Sequence, residues 1–197
     1  MPAPHGPTDR PEPMLAGRLV YLRPGERADL PLFVRWLSDA ATTRNLALRS
    51  PIGQAMEERW FETMLDHHGR ERWFFVICRL EDDRQVGSLD LHAVDLTNGS
   101  AGIGIAIGDP SDTGHGYGSD AMAVLIRFAF DELRLERVWL DVYDENTGAR
   151  RLYERLGFVH EATFRRGLYR RGAFIDVLRM GLLRDEWRAG AGTDRPA

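Results

Sequence analysis

Three glycines, Gly114, Gly116 and Gly118, recur at every second position between a strand-like run and a helix-like run. The strand-like run spans residues 101–108, and the apolar residues of the following run, residues 121–133, have helical spacing. Glycine lets the backbone adopt positive φ angles and approach a ligand closely. The first N–H groups of a helix lack intrahelical partners and lie at its positive dipole end. This junction therefore favours an anion, and a phosphate or pyrophosphate fits best.

Two other phosphate-binding motifs compete with a coenzyme A site at this junction. A P-loop needs a lysine directly after its last glycine, but Ser119 follows Gly118 and the chain contains no lysine. A dinucleotide fingerprint is matched by Gly116, Gly118 and Ala121, with Asp141 about 20 residues further on, where a ribose-binding acid is expected. That motif opens a domain of several further βα units, whereas only 76 residues follow Ala121. The coenzyme A pyrophosphate and a glycine connection that binds nothing stay open as interpretations.

The composition is that of one ordinary globular domain of 197 residues, with 43% hydrophobic and 28% charged residues. A net charge of −4 gives no global basic field for nucleic acid, and no apolar run approaches the ~18 residues that span a membrane. Pro-rich residues 1–14 and residues 189–197 are predicted to be disordered tails of a domain at residues 15–188. The single cysteine, Cys78, excludes a disulfide framework and a Cys-rich zinc site and favours a cytoplasmic location. No metal site is predicted.

Periodicity predicts an α+β chain with the element order β-α-α-β-β-β-α-β-α-β-β. Three consecutive strand-like runs separated by turn-prone residues indicate an antiparallel meander before the glycine junction. A single parallel βαβ step follows, so the sheet is expected to be mixed rather than doubly wound. The predicted elements cover residues 18–23, 28–39, 54–66, 73–79, 85–94, 101–108, 121–133, 137–143, 147–156, 158–168 and 173–182.

Two segments in this order resemble the GNAT superfamily of acyl-CoA-dependent N-acetyltransferases. Residues 113–119 are similar to the family's pyrophosphate loop, although Thr113 stands where the family usually carries Arg or Gln. Residues 146–158 are similar to the family's Asn-x-x-Ala-x-x-Leu-Tyr-x-x-Leu-Gly-Phe segment. Residues 169–187 resemble the subgroup of ribosomal-protein N-terminal and spermidine acetyltransferases. The whole resemblance covers residues 15–188.

The resemblance implies a GNAT-like fold whose central sheet splays around acetyl-CoA, the co-substrate of an N-acetyltransferase. It also implies that backbone N–H groups of the glycine loop hold the pyrophosphate and that the preceding strand bonds the pantetheine. Asn146 suits a helix cap and, by the resemblance, a cofactor contact as well. The implied cofactor-binding residues are Ile105, Ala106, Ile107, Thr113, Gly114, His115, Gly116, Tyr117, Gly118, Ser119 and Asn146.

Tyr153 matches the tyrosine that often protonates the coenzyme A thiolate in this family. A phenol with an ordinary pKa of about 10 is protonated at neutral pH and can donate its proton. Packing of the ring against the sheet, beside Leu156 and Phe158, is the alternative role. Direct attack of the amine on the thioester is expected, because the chain offers no plausible acyl-accepting cysteine or lysine.

The general base is less well defined by the sequence. An amine with a pKa near 10.4 must lose a proton before it attacks, but Gly102 stands where the subgroup often carries a glutamate. Asp90 and His92 lie two positions apart on the preceding strand and therefore face one side of the sheet, which makes them candidate catalytic residues. Ordinary surface residues would show the same spacing, and a chain of water molecules is the alternative route for the proton.

The acceptor stays open between a small-molecule amine, such as a polyamine, and a protein N-terminus. Residues 44–54 and the second predicted helix, with Glu57 and Glu58, are expected to select it, and an acidic rim would suit a polyamine. A cluster of four arginines could hold an acidic substrate or the adenosine 3′-phosphate, although a solvated hairpin is the simpler interpretation. The members of this cluster are Arg165, Arg166, Arg170 and Arg171.

A dinucleotide-binding protein and a non-catalytic coenzyme A module are the alternative functions. No nucleic acid or membrane partner is expected, and the sequence is compatible with a homodimer.

Overall fold

The structure, a computed structural model, describes residues 12–190. Its strands are β1 Leu15–Ala16, β2 Val20–Pro24, β3 Trp73–Arg79, β4 Gln85–Asp95, β5 Ser100–Ile107, β6 Arg137–Tyr143, β7 Val159–Arg170 and β8 Ala173–Leu183. Its helices are α1 Leu30–Ser38, α2 Gln54–His67, α3 Tyr117–Arg127, α4 Thr147–Arg155 and α5 Arg184–Gly190. A π-helical turn, Phe128–Glu132, continues α3.

The strands form one sheet in the order β1-β2-β3-β4-β5-β6-β8-β7. Every neighbouring pair is antiparallel except β5 and β6, which are parallel and are connected through α3. The predicted mixed α+β fold, with a meander followed by one parallel step, is therefore confirmed.

Both faces of the sheet are covered, because successive side chains of a strand point to opposite sides. Phe75 and Ile77 of β3 belong to the larger core, which α3 and α4 complete. Phe74 and Val76 face the other way, toward α1 and α2. The side that carries α3 and α4 is called the helix-3 face below, and the side that carries α1 and α2 the helix-1 face. Fully buried members of the larger core include Ile77, Leu89, Leu91, Met122, Leu125, Ile126, Leu140 and Leu182.

Three elements differ from the prediction. Helix α3 begins at Tyr117 rather than at residue 121, because Gly116 adopts a φ of 87° and so turns the chain into the helix. Gly118 and Ser119 are poor helix formers, so helix propensity does not indicate that the helix begins before residue 121. The two-residue β1 is too short to give a periodic signal. Helix α5 was not predicted and includes the first two residues of the predicted tail 189–197; residues 1–11 and 191–197 lie outside the described part of the chain.

Candidate active site

A gap opens in the sheet between β5 and β6. Their parallel pairing covers Ser100 to Gly102 on β5 and ends where Gly102 lies opposite Trp139. Beyond this pair the two strands have no register with each other. The Gly108 N–H donates to the carbonyl of Val86 on the β4 side. Because main-chain groups of successive strand residues alternate between the two edges, Ile105 and Ile107 turn theirs toward the gap, whereas Ala106 turns its own toward β4.

The glycine loop lies at the open end of this gap and is anchored before its first glycine. Asp109 accepts from the Ser111 N–H at 2.9 Å. Asp112 is 5% exposed, and Arg84 donates to both of its carboxylate oxygens. This pair raises the pKa of the Arg84 guanidinium and fixes the loop to the turn between β3 and β4. No spacing in the sequence predicts this pair, because its two members lie 28 positions apart.

The loop itself, residues 113–116, is exposed and has two residues in the left-handed region. Gly114 and Gly116 both have φ of 87°, which only glycine adopts without strain. The His115 ring stacks on Tyr117 with centroids 5.7 Å apart, and its Nε2 lies 3.1 Å from the Ser111 carbonyl oxygen. Thr113 is exposed. The chain here forms an open cradle: nothing described lies within 4 Å of a Cβ placed on Gly114, although Leu19 Cδ1 would lie 3.2 Å from one on Gly116.

Helix α3 presents its first N–H groups at this cradle. The Asp120 N–H donates to Gly116 O and is the first intrahelical bond of α3. The N–H groups of Tyr117, Gly118 and Ser119 therefore precede the hydrogen-bonded part of the helix and lie at its positive dipole end. Such a helix end, following directly on a left-handed glycine, suits a pyrophosphate.

Tyr153 lies on the helix-3 face, within α4. Asn146 caps this helix, its side-chain oxygen accepting from the Ala149 N–H at 3.3 Å, as the sequence predicts. The Tyr153 side chain is 8% exposed and lies 6.0 Å, ring to ring, from Phe158. Its hydroxyl has no hydrogen-bond partner among residues 12–190. Burial raises the pKa of Tyr153 to about 12, so the phenol keeps its proton at physiological pH.

Asp90 and His92 lie on the opposite, helix-1 face, beside the point where the strands part. The structure brings them together: His92 Nδ1 is 3.6 Å from Asp90 Oδ1. Arg72 Nε lies 3.5 Å from the other carboxylate oxygen of Asp90. The His92 ring meets Trp139 edge-on, with centroids 5.5 Å apart. His92 thus reaches from β4 across β5 to the first residue of β6 that borders the gap.

The glycines of β5 make room for these two side chains. A Cβ atom on Gly102 would lie 2.4 Å from His92 Nε2, and one on Gly104 would lie 2.4 Å from Asp90 Oδ1. A side chain at position 102 and the observed His92 ring therefore exclude each other. The sequence shows a glycine at position 102, where the subgroup often carries a glutamate. Only the tertiary structure shows that the His92 imidazole occupies the space of that side chain.

Beyond the gap, the same face carries a charged and aromatic row on β6 and β8. Arg179 donates to both carboxylate oxygens of Asp141, at 2.9 Å each, and this pairing raises the pKa of the Arg179 guanidinium. The guanidinium also lies 4.0 Å from the centroid of the Trp139 ring. Asp141, a ribose-binding acid in the dinucleotide interpretation, is thus engaged by Arg179.

A turn between α1 and α2 covers the open end of the gap on this face. Thr42 Oγ1 donates to the Gly108 carbonyl at 2.7 Å. Arg170, at the tip of the β7–β8 hairpin, donates to the carbonyls of Thr43 and Leu46. The prediction of a solvated arginine cluster is therefore wrong for Arg170, although Arg165, Arg166 and Arg171 are exposed.

Glu57, in the first turn of α2, is buried at 4% exposure. Its carboxylate has no hydrogen bond or ion pair within residues 12–190, and burial raises its pKa. The neighbouring Glu58 is exposed and accepts from Gln54 Nε2 at 3.0 Å. Of the predicted acidic pair, only Glu58 belongs to a solvated rim.

Known proteins match this architecture. Residues 19–159 match the family model of an acetyltransferase (GNAT) domain. A spermidine N(1)-acetyltransferase of Escherichia coli K12 is 27% identical over 176 residues, which cover 89% of this chain and 92% of that protein. A Bacillus subtilis protein provisionally named ribosomal N-acetyltransferase YdaF is 37% identical over 108 residues, or 55% of this chain and 58% of that one. The crystal structure of Vibrio cholerae spermidine N-acetyltransferase with CoA and spermine has a TM-score of 0.79 at 24% identity, covering 86% of this chain and 98% of that one.

The chain belongs to the GNAT acetyltransferases. It is an N-acetyltransferase that uses acetyl-CoA as its donor, which confirms the prediction from the glycine loop and the α4 motif. Within residues 12–190, no three His, Cys, Asp or Glu side chains group together as metal ligands. None of the helices in that range is long and apolar enough to cross a membrane.

Proposed function

We propose that the enzyme acetylates a small cationic amine of the polyamine type. The donor would enter the gap from the helix-3 face, and the acceptor from the helix-1 face. The observation that carries this proposal is the division of groups across the gap: Tyr153 lies on one face, and the pair of Asp90 and His92 on the other. This division would let one group take the proton of the attacking amine while a separate group protonates the departing thiolate.

The donor site of the proposal combines the glycine cradle with the edge of β5. The N–H groups of Tyr117, Gly118 and Ser119 would hold the pyrophosphate, with Gly114 and Gly116 shaping the backbone for it. Main-chain groups of Ile105 and Ile107 would bond the pantetheine and polarise the thioester carbonyl. The proposed cofactor-binding set has four further members, which would line the surface beside these backbone groups: Ala106, Thr113, His115 and Asn146.

The proposed proton movements use one residue on each face. His92 accepts the ammonium proton of the acceptor at Nε2, while Asp90, 3.6 Å from Nδ1, orients the ring. Tyr153 gives its hydroxyl proton to the coenzyme A sulfur. The exclusion between the His92 ring and a side chain at position 102 supports the first role, because the histidine fills the place of the glutamate common in the subgroup.

The cationic character of the acceptor is supported by Glu57. Its side chain is largely buried and forms no ion pair among residues 12–190, so a bound ammonium would supply a partner for the carboxylate. Relatives named as spermidine acetyltransferases agree with this choice. A protein N-terminus is the second candidate, supported by the similarity to YdaF.

The cellular location and the oligomeric state are proposed on separate features. Burial of the only cysteine, Cys78, supports a cytoplasmic location, and the exposed edge strand β7 supports a homodimer.

The test is an acceptor panel followed by base variants. Spermidine, simple diamines and peptides with free N-termini are compared by release of coenzyme A thiol. We expect turnover with polyamines and none with peptides; the reverse result would move the acceptor to a protein N-terminus. With the best acceptor, His92→Gln should lower kcat by about 10²–10⁴-fold. His67→Gln, on exposed α2 surface, is the matched control.

A further inference from the structure

The two arms of the split sheet are joined again at the open end of the gap. One arm ends with β5, and the other consists of β6, β8 and β7. The turn at residues 42–46, called the bridging turn below, contacts both: Thr42 holds Gly108 after β5, and Arg170 holds the carbonyls of Thr43 and Leu46 from the β7–β8 hairpin.

The register of the strands puts both contacts at the level of the opening. Tyr143, the last residue of β6, lies opposite Val177 of β8, and Arg170 lies opposite Ala173. The hairpin tip therefore projects past the end of β6 by roughly 13 Å, at ~3.3 Å per residue. On the other arm, Gly108 lies six residues beyond Gly102, the last residue of β5 that is paired with β6.

The chemistry of the two anchors suits a fixed bridge. A guanidinium can donate from two nitrogens in one plane, so one arginine holds two carbonyl oxygens at a fixed separation. Arg170 is also partly buried and lies beside the Tyr143 phenol, whose pKa is raised by burial and lowered in part by Arg170. The neighbouring Arg171, with the same charge, is exposed.

We propose that Arg170 is a positioning residue that sets the width of the gap between β5 and β6 through the bridging turn. Nothing else described between the two strands holds them at the open end, since their own main-chain pairing stops at Gly102 and Trp139. The inference rests on the proposed location of acetyl-CoA in this gap. Loss of either anchor lets the arms move apart and weakens the grip on the donor.

Acetyl-CoA binding by calorimetry tests the proposal without an acceptor. Arg170→Met keeps the aliphatic stem and removes the donors, and it should raise the Kd for acetyl-CoA by about tenfold. Arg171→Met is the matched control and should stay within about twofold of wild type. In turnover, Arg170→Met should raise the KM for acetyl-CoA while kcat at saturation stays within about threefold. A general loss of folding would instead lower the apparent kcat and leave KM unchanged.

The opposite anchor gives a second, independent variant. Thr42→Val keeps the shape and removes the hydroxyl, and it should weaken acetyl-CoA binding similarly. Because a bridge fails when either end is released, the double variant should bind no more weakly than the weaker single variant. Wild-type affinity in Arg170→Met, or a double variant whose effect is the product of the two, would overturn the proposal. If Arg170→Met does not fold, Thr42→Val decides alone.

A loop variant separates this proposal from the proposed cofactor site. Gly114→Ala puts a side chain at a φ of 87°, within the cradle and away from the bridging turn. If Gly114→Ala weakens acetyl-CoA binding and the bridge variants do not, only the positioning role fails. If none of these variants changes binding, the location of acetyl-CoA in the gap fails with it.

Discussion

Gly102 of β5 lies opposite Trp139 of β6 at the last pair where the two parallel strands hold register. The His92 ring covers the glycine and meets the tryptophan edge-on. This one relationship sets three features of the site: where the gap begins, which side chain borders it on the helix-1 face, and why position 102 has no side chain.

Gly102→Ala tests this relationship directly. The added Cβ would lie 2.4 Å from His92 Nε2 and 2.9 Å from the Trp139 ring, so His92 must move. We expect a loss of about 1–3 kcal/mol in the free energy of unfolding together with a lower kcat. Gly148→Ala, where nothing lies within 4 Å of the added Cβ, is the control and should change stability by less than about 1 kcal/mol. Wild-type melting and turnover in Gly102→Ala would contradict the geometry.

Tyr153→Phe tests the proposed acid. The ring and its packing stay, so acetyl-CoA affinity and the melting temperature should change little, whereas kcat should fall by about 10²–10⁴-fold. Steady-state kinetics and a cofactor titration on the same preparations measure both. Turnover within about twofold of wild type, with chemistry rate-limiting, would remove Tyr153 from the catalytic residues.

The raised pKa of Tyr153 gives a separate pH prediction. Because burial favours the neutral phenol, its folded-state pKa of about 12 lies above the unfolded value near 10. The folded protein therefore holds this proton more tightly, and the resulting stability is present below about pH 10 and is lost as pH rises toward 12. Tyr153→Phe should unfold less steeply with pH in that window, as followed by circular dichroism. Parallel curves for the two proteins would contradict the burial argument.

Asp120→Asn tests how β2 is held to the glycine loop. The Asp120 carboxylate accepts three backbone N–H groups, from Arg18, Leu19 and Val20, at 3.0, 2.7 and 3.0 Å. An amide loses the charge and replaces one acceptor oxygen with a donor that faces another donor. We expect about 1–3 kcal/mol of destabilisation in denaturant unfolding. Asp185→Asn, an exposed acid in the first turn of α5, is the control for the helix dipole and should cost less than about 1 kcal/mol.

Glu57→Gln tests the buried carboxylate of α2. Burial raises the folded-state pKa of Glu57 above its unfolded value, so the stability linked to its proton is present at low pH and is lost as pH rises through the folded pKa. Replacing the acid by an amide removes this loss. The melting temperature of the variant relative to wild type should therefore be higher at pH 8 than at pH 4. Glu58→Gln, exposed beside it, should show no such trend, and a trend of the same size there would contradict the assignment to Glu57.

The sequence by itself determined the elements whose signal is local. The strand at Trp73–Arg79 and the strand at Arg137–Tyr143 were predicted with their observed bounds, because their alternation and β-branched content act within the strand. The cap at Asn146 was predicted for the same reason, since it bonds an N–H three residues on. The start of α3 was not predicted, because Gly118 lowers the helix propensity of the first turn. The left-handed turn at Gly116, where the helix begins, leaves no periodic pattern in the sequence.

Only the tertiary structure decided how those elements combine into a site. The end of the β5–β6 pairing, the ring of His92 over Gly102 and the contact of Arg170 with Thr43 join residues distant in the chain, up to 127 positions apart. Such contacts depend on register and on the packing of whole elements against one another, and they leave no spacing in the sequence from which they could be predicted. The sequence thus determined the chemistry available to this enzyme, and the fold decided which of its groups meet, because side-chain contacts across a sheet are set by strand order and register.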